Sequence, residues 1–435
     1  MKSGGQFRCL VIAVLTIATS ATLASSADMP LTLNQVLDIA EHRSTSIMAA
    51  CATYASARGE LSDTRALLWN NPEIAIEHRR RELFQAGGPD ARRTDNAIGI
   101  SQTFELGGQQ GARRGAAQAS LESVKWTIAS TRREVRAETA IRFIELLAAQ
   151  ERVRINEQAL EILRRGAELV EKRVQAGEEG RLDGNLAQVE AERGANQLAM
   201  AREQLTQARS ALAVLLQLDL DKVQEALGNL DGPPADYTLK ELLDISARRP
   251  ILQALEAKTE AAKHRLKVER GAVYPDLTVG LSYSPERGID GQDRITTLSF
   301  SLPLPLFRRN GSGIGRALTE LDQATIERQS AERITRTDVT TLWQRFESLR
   351  QRTERLRRTI LPSLEENQKL SLKALQAGEI GLPQFLLVRR QFLDSALDLL
   401  DARVELHRTR IALENSAGWP EALEPLVACI SEARP

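Results

Sequence analysis

Two long stretches of this chain lack the residues that usually end helices. Residues 113–176 contain no proline and only two glycines, and residues 316–376 contain one proline, Pro362, and no glycine. At a rise of about 1.5 Å per residue, a helix over either stretch is about 90–95 Å long. Helices of globular proteins span about 8–20 residues. The sequence therefore predicts rod-like helices instead of a compact globule, with Pro362 kinking or interrupting the second one.

Apolar residues in these helices recur at spacings of three and four. One such series is Leu160, Leu163, Ala167, Val170 and Val174. This spacing buries a narrow seam and leaves the remaining faces solvated. We therefore expect a wall one helix thick, with arginine and glutamate on its wet faces. The balance of 58 basic and 58 acidic residues also argues against nucleic acid as a partner, which would favour a basic face.

The second half of the chain repeats the first at an offset of about 200 residues. LTLNQVLDIAEHR at 31–43 matches YTLKELLDISARR at 237–249, and QAGE occurs both in 174–183 and in 375–384. We predict a first structural repeat over residues 28–232 and a second over 233–435. Their junction is GNLDGPPADYT at 228–238, whose glycine, proline and aspartate residues are typical of a linker.

Each predicted repeat contains two stretches in which apolar and small polar residues alternate. This period of two predicts strands, at about 72–83 and 96–106 in the first repeat and about 275–286 and 294–304 in the second. Strands of about ten residues can cross a bilayer with their apolar side chains outward. The side chains predicted to face lipid are Ile98, Ile100, Phe104, Leu277, Val279, Leu281, Tyr283, Leu298, Phe300 and Leu302. A soluble antiparallel sheet with one buried face shows the same alternation.

Four strands per chain are too few to close a barrel. Open sheet edges are not tolerated in lipid, because no water satisfies their N–H and C=O groups. Two copies would give eight strands, whose interior is filled by side chains, whereas three copies give twelve and leave a lumen. A conducting protein is therefore predicted to be a homotrimer in contact with membrane lipid.

The first segment predicts export from the cytoplasm. Residues 1–27 contain the basic residues Lys2 and Arg8, an apolar run at 9–23 and then small residues, the order of a secretory signal peptide. After its removal only Cys51 and Cys429 remain as cysteines. They could form a disulfide in an oxidising compartment, and the sequence leaves that pairing open.

No motif in the chain predicts catalysis, a cofactor or a bound metal. The four histidines, His42, His78, His264 and His407, do not pair with one another or with cysteine at ligand spacing. No G-x-S-x-G or H-E-x-x-H motif occurs. We therefore expect no cofactor, no metal site and no enzymatic activity.

Two segments at the predicted strand-to-helix corners are similar to a known family. FELGGQQGARRGAA at 104–117 and LPLPLFRRNGSGIG at 302–315 resemble corners of the TolC family of outer-membrane channels, in its cobalt–zinc–cadmium cation-efflux branch. The resemblance implies a mainly α chain with a small β part, in which a trimeric outer-membrane barrel continues into a long periplasmic helical barrel. It further implies export of heavy-metal cations, with a periplasmic adaptor (membrane fusion) protein and an inner-membrane resistance-nodulation-division pump as partners.

The same resemblance implies that the adaptor contacts the two turns at about 177–183 and 378–383. The residues this assigns to the tips are Gly177, Glu178, Gly180, Leu182, Asp183, Gly378, Glu379, Gly381 and Leu382. Family channels close near these turns, often with acidic rings. The acidic candidates in this chain are Glu178, Glu179, Asp183 and Glu379.

Other functions remain open on the sequence alone. The cargo of such a channel could be drugs, or a polypeptide exported by type I secretion, instead of metal cations. A less favoured alternative is a soluble periplasmic coiled-coil scaffold, which needs no outward apolar band on its strands.

Overall fold

The computed structural model describes residues 31–83, 91–231, 237–287 and 291–420. The predicted signal peptide, residues 1–27, lies outside these ranges. Cys51 is disulfide-bonded, and Cys429, whose pairing with Cys51 the sequence leaves open, lies outside the described residues.

The chain is mainly helical with a small sheet, which confirms the predicted mainly α class with a small β part. The first half contains β1 (Leu31–Thr32), α1 (Leu33–Arg43), α2 (Thr45–Thr64), β2 (Glu73–Leu83), β3 (Ala91–Phe104), α3 (Gln109–Ala176), α4 (Arg181–Leu216) and β4 (Ala226–Leu227). The second half contains α5 (Leu239–Ser246), α6 (Pro250–Gly271), β5 (Leu277–Arg287), β6 (Gln292–Ser301), α7 (Gly311–Arg355), α8 (Leu361–Ala377) and α9 (Leu382–Ala417). Helices of moderate length, two strands, a long helix and a returning helix thus follow one another in both halves.

A capping box begins each half at the matching position. In the second half, the Glu241 amide donates to Thr238 Oγ1 at 3.3 Å, and the Thr238 amide donates to Glu241 Oε2 at 2.7 Å. In the first half, the Thr32 amide donates to Gln35 Oε1 at 2.9 Å. These bonds satisfy amides that the first helical turn leaves without partners, so both motifs fix where α1 and α5 begin.

The long helix of the first half is continuous, and its counterpart is interrupted. α3 spans 68 residues, about 100 Å at 1.5 Å per residue. In the second half, a π-helical turn at Leu356–Ile360 separates α7 from α8, directly before Pro362. Proline has no N–H to donate and its ring crowds the carbonyl four residues earlier, and the wider turn accommodates both effects.

The helices form a layer instead of a bundle around one core. Near the sheet, α3 packs between α2 and α6, and α6 packs on α7. Farther from the sheet, α3 packs on α4 and α9, while α9 also contacts α7 and α8. Each helix therefore buries narrow stripes toward its neighbours, as its apolar spacing predicts.

Two close crossings in this layer depend on glycine in α3. A Cβ at Gly115 would lie 2.6 Å from the His264 ring of α6, and one at Gly166 would lie 3.1 Å from the Phe385 ring of α9. Both distances are shorter than an ordinary van der Waals contact. These glycines thus let α3 approach its neighbours in the second half of the chain.

The largest apolar cluster lies near the middle of the molecule. It joins α1, α3 and α4 to the parallel pair β1–β4, in which Leu31 is opposite Ala226. The fully buried members include Val36, Phe143, Leu146, Leu212 and Leu216. This cluster connects the returning helix α4 to the start of the chain.

Within the described ranges, no helix combines the length and the apolar character needed to cross a membrane.

The four longer strands form one antiparallel sheet in the order β2–β3–β5–β6. β3 and β5 connect the two halves, with Ile98 opposite Tyr283 and Phe104 opposite Leu277. The beginnings of β2 and β5 and the ends of β3 and β6 lie at the same end of the sheet, where the helices attach. The sheet is therefore a continuation of the helical layer.

Strand bounds differ most from the sequence prediction at two places, and the other bounds agree to within two residues. β3 begins at Ala91, about five residues earlier than expected, and β6 ends at Ser301 instead of 304. Leu302, predicted on a lipid-facing strand, therefore lies beyond β6. Pro303 and Pro305 follow, and a proline cannot donate a hydrogen bond to a neighbouring strand.

The central cluster gives a test of this packing. Leu212→Ala removes a fully buried side chain, and we expect a loss of about 2–5 kcal/mol in the free energy of unfolding. Val214→Ala is the matched control, since Val214 lies on the same helix with its side chain exposed. We expect that control to stay within about 0.5 kcal/mol of wild type. Native-state hydrogen exchange of α4 amides measures both, and equal effects would contradict this assignment of the core.

Candidate functional site

The strand register places the predicted apolar side chains on one face of the sheet. Residues directly opposite one another in an antiparallel pair point to the same side. The aligned rows are Ile76, Ile98 and Tyr283; Ile74, Ile100, Leu281 and Leu298; Val279 and Phe300; and Phe104 and Leu277. Nine of the ten residues predicted to face lipid therefore share one surface, and Leu302 is the exception.

This apolar face is open to solvent in the single chain. Ile76 is 78% exposed, and Ile98, Leu298 and Phe300 are also exposed. From Ile98 to Phe104 it extends about 20 Å at roughly 3.4 Å per residue, close to the apolar band of outer-membrane barrels. A water-soluble sheet would cover such a patch with another layer, because large exposed apolar surfaces mark sites of interaction.

Sequence reasoning left two members out of this face. Ile74 and Ile76 of β2 lie in the rows of Ile100 and Ile98, although β2 has only these two apolar residues on that side. Farther along β2 the same side carries His78, whose Nδ1 lies 2.7 Å from Asn96 Oδ1. The alternation of apolar and polar residues in β2 is weak, so the sequence offered little indication of this face. The pairing of β2 with β3 shows that Ile74 and Ile76 belong to it.

The opposite face of the sheet is built of small and polar residues. The hydroxyls of Thr103 and Thr278 are 2.9 Å apart, and a Cβ at Gly280 would lie 2.6 Å from Ser299 Oγ. Small side chains and glycine thus let the strands' polar groups lie close together on this face. The two faces thus differ as the lipid and water sides of a barrel wall do.

Charged residues lie at the far end of the polar face. Arg81 is 3.8 Å from the buried carboxylate of Asp95 and 3.7 Å from that of Glu286. The three side chains come from β2, β3 and β5, so they connect three strands. Charged side chains on the polar face require water or an oppositely charged partner. The rows of the apolar face named above contain no charged residue.

The strand-to-helix corners are held by polar contacts. After β3, Arg113 forms a 2.5 Å ion pair with Glu105, and its guanidinium carbon lies 4.3 Å from the centre of the Trp69 ring. After β6, Asn310 has φ +51° and donates through Nδ2 to the Glu269 carboxylate at 2.7 Å. These contacts fix the direction in which α3 and α7 leave the sheet.

The two far turns have the same backbone geometry. Gly177 and Gly378 have φ of +79° and +76°, and the next amides, of Glu178 and Glu379, each donate to a carbonyl five residues earlier at 2.9 Å. This is the Schellman cap, which favours glycine because it has no Cβ. Gly180 and Gly381 then directly precede α4 and α9.

One predicted tip residue is not at the surface. Leu382 is 2% exposed, whereas Leu182 is 79% exposed. The matched turns align Leu382 with Arg181 and Pro383 with Leu182, so the two leucines are not equivalent. Leu382 packs with Val170, Ala187, Leu375 and Phe385. It is therefore a core residue of the tip, which corrects its assignment to the adaptor-contacting surface.

The remaining predicted tip residues lie in two neighbouring turns. Arg173 Nη2 donates to the Gln376 carbonyl at 3.2 Å, and Arg173 Nη1 lies 3.6 Å from Glu179. Arg173 thus connects the first hairpin to the second. Among the acidic candidates, Glu178 and Glu379 are exposed, Asp183 lies half-buried in the first turn of α4, and Glu179 is half-buried beside Arg173.

The described residues contain no group of three or more histidine, cysteine or acidic side chains that could hold a metal ion. His407 Nε2 lies 2.7 Å from the Leu230 carbonyl. Burial lowers the pKa of this imidazole below its ordinary value, which favours the neutral ring. Its environment is that of a packed core histidine.

Comparison with known proteins gives a family match over most of the chain. The model of the family described as outer membrane efflux protein matches residues 36–216 and 242–419. The cobalt-zinc-cadmium resistance protein CzcC of Cupriavidus metallidurans is 29% identical over 88% of this chain and 85% of its own length. The pyoverdine export outer membrane protein OpmQ of Pseudomonas putida is 27% identical over 67% of this chain and 65% of its own.

A solved structure supports the fold. The outer membrane protein VceC of Vibrio cholerae superposes with a TM-score of 0.75 at 18% identity, over 89% of this chain and 96% of that one. At this level of identity the likeness concerns the arrangement of helices and strands.

Proposed function

Because the chain belongs to the outer membrane efflux protein family, we propose that its sheet supplies the membrane-crossing wall, and its long helices the periplasmic duct, of a heavy-metal export channel. Family membership confirms the predicted resemblance, the outer-membrane location and the role of a passive conduit instead of an enzyme. Channels of this family work with a periplasmic adaptor and an inner-membrane pump.

The exposed apolar face of the sheet is the observation that most supports this role. It contains apolar residues from all four strands, with the polar Gln102 in the row of Val279 and Phe300, and it matches a bilayer core in character. A soluble scaffold would have no use for it. We propose that lipid covers this face and that the polar face with Thr103, Thr278 and Gly280 lines a water-filled lumen.

Closure of the wall requires further copies of the chain. Within the described residues, β2 and β6 are each paired on one side only, and unpaired backbone groups cost several kcal/mol each in lipid. Three copies supply twelve strands and leave a lumen. A homotrimer in which β6 of one copy pairs with β2 of the next satisfies both edges.

The proposed cargo is a heavy-metal cation. The relative named for cobalt, zinc and cadmium resistance matches more of this chain, at higher identity, than the relative named for pyoverdine export. A duct filled with water needs no tight metal site, so selectivity belongs to the pump. Export of siderophores, drugs or polypeptides is the competing assignment within the same channel class.

The tips are the proposed contact for the adaptor, with a resistance-nodulation-division pump behind it. The exposed members are Gly177, Glu178, Gly180, Leu182, Gly378, Glu379 and Gly381. At 1.5 Å per residue, α3 places the first turn about 100 Å from the sheet, and the second turn lies beside the first. This distance would bring the tips deep into the periplasm, where an adaptor can reach them.

Leu298→Arg tests the lipid-facing side of the wall. Arginine near the bilayer midplane of a barrel costs about 2–4 kcal/mol, so we expect far less folded channel in the outer membrane. Thr297→Arg is the control, because Thr297 lies next to Leu298 on β6 and points to the opposite face. Membrane fractionation and a heat-modifiability gel measure assembly. If only Thr297→Arg fails, the two faces have been interchanged, and recovery of wild type in the soluble periplasm would remove the channel proposal.

Leu182→Asp tests the tips. We expect loss of crosslinking to the adaptor with the trimer intact, because Leu182 has no packing role and a charge there opposes an apolar contact. Leu382→Asp serves as contrast: it places a charge in the buried tip cluster, so hydrogen exchange of the tip amides should rise sharply. Unchanged crosslinking of Leu182→Asp would show that the adaptor binds elsewhere.

Deletion of the gene tests the cargo. We expect reduced growth on at least one of zinc, cadmium, cobalt and nickel, since the cation would accumulate in the cell. Restoration by the wild-type gene, and no restoration by the Leu298→Arg variant, would tie the effect to the channel. Unchanged tolerance to all four metals, together with greater sensitivity to a drug or loss of siderophore export, would favour the competing cargo.

A further inference from the structure

A cleft of about 710 Å³ lies between α3, α8 and α9, away from both the tips and the sheet. Apolar side chains form part of its walls, with Ile155 and Ile162 from α3, Leu372 from α8, and Phe392 and Leu393 from α9, and charged residues at its margins form the rest. Arg389 lies toward the tip end of the cleft, eight residues after Gly381, or about 12 Å along the helix. Gln368 of α8 also lines it.

Two of the polar residues that line this cleft, Arg389 and Gln368, are buried with side-chain nitrogen atoms that have no hydrogen-bond partner. Arg389 is 4% exposed, and its Nε and Nη2 atoms have no hydrogen bond. Gln368 is 9% exposed, and its Nε2 has none. A buried guanidinium without a counter-charge is strongly unfavourable, because its loss of hydration is not offset. Such groups in a native structure call for a ligand or another function.

The acidic residues around the cleft do not neutralise Arg389. Glu157 pairs with Arg202 at 2.9 Å, Glu161 with Arg165 at 2.8 Å, and Glu365 with Lys369 at 2.8 Å. Glu151 pairs with Arg154. Burial lowers the pKa of Arg389 to about 10, which leaves the guanidinium protonated near neutral pH. The cleft therefore presents one buried, unpaired positive charge and one buried amide donor, while the other charged residues of its lining form ion pairs.

We propose that this cleft binds a small amphiphilic carboxylate, with its carboxylate on Arg389 and Gln368 and its hydrocarbon part against the walls. The planar guanidinium presents two parallel N–H donors that match the two oxygens of a carboxylate. The Gln368 amide supplies a further donor. Apolar walls favour a hydrocarbon chain over bulk water, which distinguishes this ligand from inorganic phosphate. A metal cation would be repelled, so the site is separate from the proposed cargo.

Octanoate is a suitable probe, because it joins one carboxylate to a short hydrocarbon chain. Calorimetric titration of the full-length channel in lipid nanodiscs should show saturable binding of octanoate. Octanol, octylammonium and inorganic phosphate should bind at least tenfold more weakly, because each lacks the carboxylate or the chain. Binding of phosphate as strong as that of octanoate would overturn the assigned ligand class.

Substitutions at neighbouring arginines locate the site. Arg389→Met retains length and apolar contact but removes the charge, so octanoate affinity should fall at least tenfold. Arg389→Lys should bind more weakly than wild type, because it retains the charge and loses the paired donors. Arg390→Met is the matched control: Arg390 is exposed and lies 3.8 Å from Asp394, and its loss should leave the affinity unchanged.

The stability of the ligand-free variants supplies an independent readout. Arg389→Met should unfold at a higher temperature than wild type, since it removes an unpaired buried charge. A lower unfolding temperature would show that the guanidinium already has a partner in the assembled channel, and would overturn the proposal. So would octanoate affinity that is equal in Arg389→Met and wild type.

Discussion

The unpaired backbone edges of the four-stranded sheet are the constraint on which the rest of the molecule depends. In water an open edge is solvated, but in lipid each unpaired N–H or C=O group costs several kcal/mol. In the proposed channel, lipid covers the apolar face formed by rows such as Ile100, Leu281 and Leu298, whereas the unpaired edges of β2 and β6 could not face lipid. Both demands are met when copies of the chain close a cylinder, so one chain is only a third of the proposed working wall.

The helices extend this wall, with several separate apolar clusters between neighbouring helices instead of one central core. Each buries a narrow stripe against its neighbours, and glycine and alanine at the crossings bring the helix axes close together. Gly115 and Gly166 of α3 admit His264 and Phe385 from the second half of the chain. Small residues at these crossings thus allow neighbouring helices to pack side by side in one layer.

The returning helices of the two halves, α4 and α9, have different neighbours. α9 packs between α3 and α8 and also contacts α7, whereas α4 packs on α3 and near its far end on α1. Residues at matching positions therefore meet different surroundings: Leu382 is buried where Arg181 is exposed, and Arg389 is buried where Gln188 is exposed. The π-helical turn before Pro362 adds a further difference. The exposed Leu182 and the unpaired Arg389 both follow from this unequal packing.

The sequence alone determined the long helices, the alternation of the strands, the paired glycine turns and nine members of the apolar face. These features depend on local periodicity and on backbone preferences, which the order of residues encodes directly. Only the tertiary structure decided that Ile74 and Ile76 join that face, that β6 ends before Leu302, that Leu382 is a core residue and that Arg389 lies buried without a partner. Whether a residue is buried depends on which helices and strands lie next to it. Those neighbours come from distant parts of the chain, so local sequence patterns do not reveal them.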